Sequence, residues 1–145
     1  MNSQTAEMVP PVAGVSMDLP GKDNVGTVSL RNAALVYPGT QGYKAGSEVT
    51  AMAWLFNNTP VEQRVVISHD GQEIKRVTIK SSSFERTELK FRTNQAIGNE
   101  DSVKVTFEWV GVKPRMEPML PIAPPQAAAP GEKIELSAEP GAEGD

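Results

Sequence analysis

Ser102-Val103-Lys104-Val105-Thr106-Phe107-Glu108-Trp109-Val110 is the stretch that decides how this chain folds. Its apolar residues Val103, Val105, Phe107 and Trp109 alternate with Lys104, Thr106 and Glu108. Side chains of an extended strand point to opposite faces in turn, so this pattern gives one dry face and one wet face. The unbroken alternation of apolar and polar residues over the whole run favours a strand over a helix, whose apolar residues would recur with a period of 3.6.

The same period recurs on either side. In Val49-Thr50-Ala51-Met52-Ala53-Trp54-Leu55-Phe56, Val49, Ala51, Ala53 and Leu55 share one face, and Met52, Trp54 and Phe56 share the other. A strand apolar on both faces sits centrally, or covers its second face with a loop or a partner. Val65-Val66-Ile67 and Ile74, Val77 and Ile79 flank His69-Asp70-Gly71. Asp-Gly between two β-rich runs marks a hairpin, because the primed turn needs positive φ. Phe84, Leu89 and Phe91 mark another strand, and Gly26 to Tyr37 supplies the first one. Alternation slips at Arg31-Asn32, as a bulge or a switch of sheet would produce. Met116, Leu120 and Ile122 form a last strand, which Pro118 and Pro121 confine to an edge. About seven to eight short strands at regular spacing, with almost no helical pattern, predict an all-β fold of the immunoglobulin-like β-sandwich class.

Composition divides the 145 residues into three zones. Residues 1–25 are polar and rich in turn formers, and read as a flexible tether segment. Residues 26–122 hold the strands and form the domain, with 12 basic and 10 acidic side chains. Residues 123–145 are rich in Pro and Ala, then acidic, with Glu132, Glu135, Glu139, Glu143 and Asp145 against Lys133. So few apolar groups cannot offset the entropy of ordering, and the reading there is a disordered tail. The net charge of -4 and the lack of a Lys/Arg block argue against nucleic acid. Without cysteine there is no disulfide, thiolate metal site or thiol catalysis in this sequence. No apolar run approaches the roughly 20 residues that span a bilayer. The start, Met1-Asn2-Ser3-Gln4, lacks the basic and apolar regions of a secretory signal.

Residues with chemistry are sparse. The single histidine, His69, adjoins the Asp70-Gly71 turn and reads as a solvated turn residue, a poor general base. Ser81-Ser82-Ser83 has no nucleophile elbow, and phosphate-loop and dinucleotide glycine patterns are missing. Six methionines raise the question of Cu(I), which favours thioethers. Met116 and Met119, however, stand three apart on an extended strand and so point to opposite faces. Asn57-Asn58-Thr59 matches a glycosylation triplet and equally a turn that closes the 49–56 strand before Pro60; the turn is the preferred reading. The expectation is therefore a non-enzyme with no catalytic, cofactor or metal residues. One candidate partner surface stands out: if Val49, Ala51, Ala53 and Leu55 face the core, then Met52, Trp54 and Phe56 form an apolar patch outside it.

Several stretches resemble the LpqE-type lipoproteins of actinobacteria. They are Gln4-Thr5-Ala6, Val9-Pro10-Pro11-Val12 and Gly14, then Gly26-Thr27-Val28-Ser29-Leu30-Arg31-Asn32-Ala33-Ala34-Leu35-Val36. Gly42-Tyr43-Lys44-Ala45-Gly46-Ser47, Leu55-Phe56-Asn57-Asn58 and the Pro-rich ending from Val103 to Ile122 continue it. The resemblance covers most of residues 4–122, and its strongest element is the Leu30-Arg31-Asn32 opening. It implies a protein held on the outer face of the cell membrane by a lipid on a cysteine upstream of this sequence. It also implies an accessory subunit of a membrane protein complex, the cytochrome bcc–aa3 respiratory supercomplex, without a cofactor. The fold neighbourhood also includes copper chaperones of the PCu(A)C type. Their paired His and Met spacing is not reproduced by His69 and the methionines here. A periplasmic copper chaperone and a cell-envelope ligand-binding or adhesion module are the two alternatives.

Overall fold

Alternation becomes strands throughout the computed structural model, which describes residues 14–125. Nine strands occupy those residues: β1 (Val15–Pro20), β2 (Thr27–Leu35), β3 (Glu48–Asn58), β4 (Gln63–His69), β5 (Gln72–Ile79), β6 (Ser83–Arg92), β7 (Ser102–Lys104), β8 (Thr106–Trp109) and β9 (Met119–Pro121). A single 3-10 turn, Lys22–Asn24, is the only helical element among the described residues. The fold is an all-β sandwich, as the alternation predicts.

One layer has the antiparallel order β1-β2-β3-β6, and the other has β5-β4-β8. The β7–β9 pair extends the second layer, because Phe107 of β8 bridges Met116 and the Val105 N–H donates to the Pro118 carbonyl. The chain crosses between layers after β3, after β5 and after β6. At the end, Ile122 reaches back to a parallel bridge with Leu35 of β2. Thus β2, β3 and β6 take the places of strands A, B and E of an immunoglobulin-like sandwich, and β4, β8 and β9 those of C, F and G. Between the layers lie Leu30, Leu55, Ile67, Leu89, Phe107 and Trp109, all fully buried. At about 1.5–3 kcal/mol for each large apolar side chain, this interior is the main stabilising term.

Details follow local chemistry. Asp70 and Gly71 both hold positive φ, 51° and 77°, the pair that a two-residue primed turn requires. The slip at Arg31-Asn32 is a bulge: register with both neighbours of β2 shifts there, and Asn32 sits at φ 53°. The 102–110 stretch keeps its alternation but not its unity. It is broken at Val105, so β7 pairs with β9 while β8 pairs with β4.

Two boundaries need correction. Residues 1–25 read as a tether, yet Val15–Pro20 is an edge strand paired with β2 from Val15↔Ala33 to Pro20↔Thr27. Val15, Met17 and Leu19 lean on the core while Ser16, Asp18 and Pro20 face out, so the domain begins some ten residues earlier than position 26. The tail was drawn from 123, but the Ala123 N–H still donates to the Leu35 carbonyl. Residues 1–13 and 126–145, which carry the remainder of the tether and tail readings, lie outside the described residues.

Candidate functional site

The pleat of β3 sorts its side chains as the alternation predicts. Val49, Ala51, Ala53 and Leu55 are completely buried, whereas Met52, Trp54 and Phe56 are partly buried on the outer face. Antiparallel register then selects their neighbours. Phe56 lies between Ser29 of β2 and Phe84 of β6, and Trp54 lies between Arg31 and Arg86. The Phe56 and Phe84 rings stack at 5.2 Å between centroids with 25° between planes, and Trp54 meets Phe84 at 5.7 Å and 31°. The Arg86 guanidinium carbon stands 6.0 Å from the centre of the Trp54 ring. Such aromatic pairs contribute roughly 0.5–1.5 kcal/mol each and the cation contact about 0.5–1 kcal/mol, enough to fix the rings without burying them. Phe84 remains 51% exposed. Three aromatic rings thus cluster on the solvent side of one sheet.

The β2 side of this ridge is polar and tied down. Asp18 Oδ1 accepts from the Ser29 hydroxyl at 2.6 Å and from Arg31 Nη2 at 2.7 Å. Arg31 Nη1 donates to the Leu30 and Met17 carbonyls at 2.9 and 3.3 Å. The Ser29 hydroxyl, and after it Arg31, holds the Asp18 carboxyl below its ordinary pKa. Between these groups and the aromatic wall is a shallow depression of about 490 Å³, lined by Ser29, Arg31, Asn32, Trp54, Phe56 and Asn58.

Other sequence candidates are dispersed. His69 corrects the expectation of a solvated turn residue. Its side chain is only 15% exposed, its ring lies 4.6 Å from that of Phe91, and Nδ1 is 3.0 Å from the Lys104 carbonyl. A carbonyl only accepts, so Nδ1 carries the proton, and Nε2 faces Asp70 Oδ2 at 3.4 Å. The histidine thus ties β4 to β7. Met116 is buried, and its thioether accepts the Trp109 indole N–H at 3.3 Å, whereas Met119 is 50% exposed. The two methionines are not brought together, nor is either joined to His69. Among the described residues, no group of three or more His, Asp or Glu side chains is placed to hold one metal ion.

Asn57 is completely buried and holds the β3–β4 turn. Its Nδ2 donates to the Val61 and Ile79 carbonyls at 2.8 and 2.9 Å, and its Oδ1 accepts from Thr59 N–H and Oγ1 at 3.0 and 2.7 Å. No glycosyl group could be attached there without undoing the turn.

Sequence reasoning missed Phe84, Arg86 and Arg31 as members of the outer cluster. Parity was the available signal: Phe84 and Arg86 have even numbers on β6, whereas core-facing Leu89 and Phe91 have odd ones. No family model matches the chain, and no curated protein matches it.

Proposed function

We propose that this protein is a non-catalytic binding module on the extracytoplasmic face of the cell membrane, an accessory subunit of a membrane protein complex. The observation that carries the reading is the ridge of exposed Phe84 and partly buried Trp54 and Phe56 on the outer face of the β1-β2-β3-β6 sheet. Aromatic side chains give large contact area at low entropic cost, and Trp and Arg are the residues on which interface energy concentrates. The resemblance to LpqE-type lipoproteins supports a lipid anchor and, as complex, the cytochrome bcc–aa3 supercomplex. No helix among the described residues is long and apolar enough to cross a membrane.

Affinity capture of the lipidated protein from its own membranes tests this reading. Cytochrome subunits should co-purify with the unaltered protein and be lost with a Trp54→Ala/Phe84→Ala variant. Their consistent absence removes the respiratory assignment. Equal recovery with the variant removes the ridge as the contact surface.

A second reading, a cell-envelope ligand-binding module, is favoured by one observation. The depression beside Trp54 combines an aromatic wall with polar groups already fixed in place, as small-ligand sites do.

A further inference from the structure

We propose that the depression between β2 and the Trp54–Phe56 wall is a subsite for an uncharged saccharide. The inference rests on the ligand-binding reading of this face and names the ligand class. Three features of the lining select it. First, Trp54 has Arg86 and Phe84 on its β6 side, while it and Phe56 also wall a depression on the β2 side. A sugar ring has one face of C–H groups, which packs against an aromatic surface as other apolar groups do. Second, the polar groups around that wall are Ser29, Asn32 and Asn58. Asn32 and Asn58 are exposed, and each amide offers sugar hydroxyls two donors beside an acceptor with two lone pairs, whereas the buried Ser29 hydroxyl gives its proton to Asp18 and can only accept. Asn32 is held at φ 53° by the bulge in β2, so its position is set by the sheet rather than by a mobile loop.

Third, the charge in the lining is already balanced. Its one cation, Arg31, is paired with Asp18 at 2.7 Å and bonded to two backbone carbonyls. A carboxylate or phosphate ligand would have to compete with Asp18 for that guanidinium, whereas a neutral polyol would not. This separates a saccharide from an acidic peptide or a nucleotide. A volume of about 490 Å³ falls within the roughly 300–1,000 Å³ of small-molecule sites, though the open shape exposes much of any occupant. Weak, fast-exchanging binding follows.

The test is a titration of ¹⁵N-labelled protein, followed by amide shifts, with xylohexaose, cellohexaose, maltohexaose and, as charged control, hexagalacturonate at millimolar concentration. At least one neutral hexaose should give saturable shifts clustered at residues 29–32 and 54–58. Trp54→Ala and Asn58→Ala should each weaken that binding at least about tenfold, or about 1.4 kcal/mol. Asn58 is exposed at the end of β3, so its variant keeps the core if Trp54→Ala proves unstable. Saturation by hexagalacturonate alone, shifts elsewhere, undiminished binding by Asn58→Ala, or no saturation by any sugar would each overturn the proposal. If no sugar binds while Asn58→Ala or Trp54→Ala still abolishes binding of another uncharged compound at these amides, the ligand class fails and the ligand-binding reading stands.

Discussion

Asn57 shows how much one side chain can decide. Four hydrogen bonds from a fully buried amide join the end of β3 to the following turn and to the end of β5. Replacement by Ala removes the buried partners of the Thr59 N–H and the Ile79 carbonyl, while the Val61 carbonyl keeps the Thr59 hydroxyl, so Asn57→Ala should cost roughly 2–4 kcal/mol in a urea melt. A loss below about 1 kcal/mol would mean that water replaces the amide there. Asp18 makes a pH prediction. Its pKa is lowered in the fold, chiefly by the Ser29 hydroxyl and then by Arg31, from the ordinary 3.8. The stabilisation is therefore present above that value and is lost as pH falls toward the folded-state pKa. Asp18→Asn should therefore lose a small stabilisation at neutral pH, small because the pair is solvent-screened, and converge with the unaltered protein at acid pH, so that the acid limb of its stability profile is flatter. An acid limb identical to that of the unaltered protein would remove Asp18 from this role. In the sequence, Asn57 was legible as a turn residue because Asn, Thr and Pro cluster there. Its burial was not, because that depends on Ile79, 22 residues away.

Among elements, turns separate intrinsic conformational cost from crowding. Gly71 has φ 77° with open space where a Cβ would go, whereas a Cβ on Gly26, at φ 73°, would collide with the Asn58 carbonyl oxygen. Gly71→Ala should thus cost about 1–2 kcal/mol, the left-handed penalty alone, and Gly26→Ala distinctly more. Equal losses in thermal melts would contradict the close approach of β2 and the β3–β4 turn. Strands with a full two-sided pattern were the legible ones: β3, β4, β5 and β6 all fall where alternation and the Asp70-Gly71 turn put them. Val15-Ser16-Met17-Asp18-Leu19-Pro20 alternates just as well, but it sits among Pro and Gly residues that read as tether. An edge strand tolerates Pro20 at its last position, since only one of its sides is paired. The break at Val105 was invisible because the change of pairing partner, from β9 to β4, leaves the alternation untouched.

For the whole molecule, the two layers bury one face of β3 and leave the other at the surface. Alternation alone identified Met52, Trp54 and Phe56 as outward residues, conditional on which face was core. Their assembly with Phe84 and Arg86 needed the β3–β6 register, a long-range pairing that no local pattern states. The same separation of faces keeps stability and binding apart. Phe84→Ala should change unfolding free energy by less than about 1.5 kcal/mol, because the ring is half-exposed and gives up mainly its aromatic pairing. Loss of the fold would place Phe84 in the core instead. We propose the outer face of the β1-β2-β3-β6 sheet as the working surface. Oxidative footprinting of the lipidated protein in its own membranes, against the same protein freed in detergent, measures this residue by residue. Trp54, Phe56 and Phe84 should be protected in the membrane sample, with exposed Val25, Val61 and Val110 unchanged. Protection of those valines with the three aromatic residues labelled equally in both samples would contradict it.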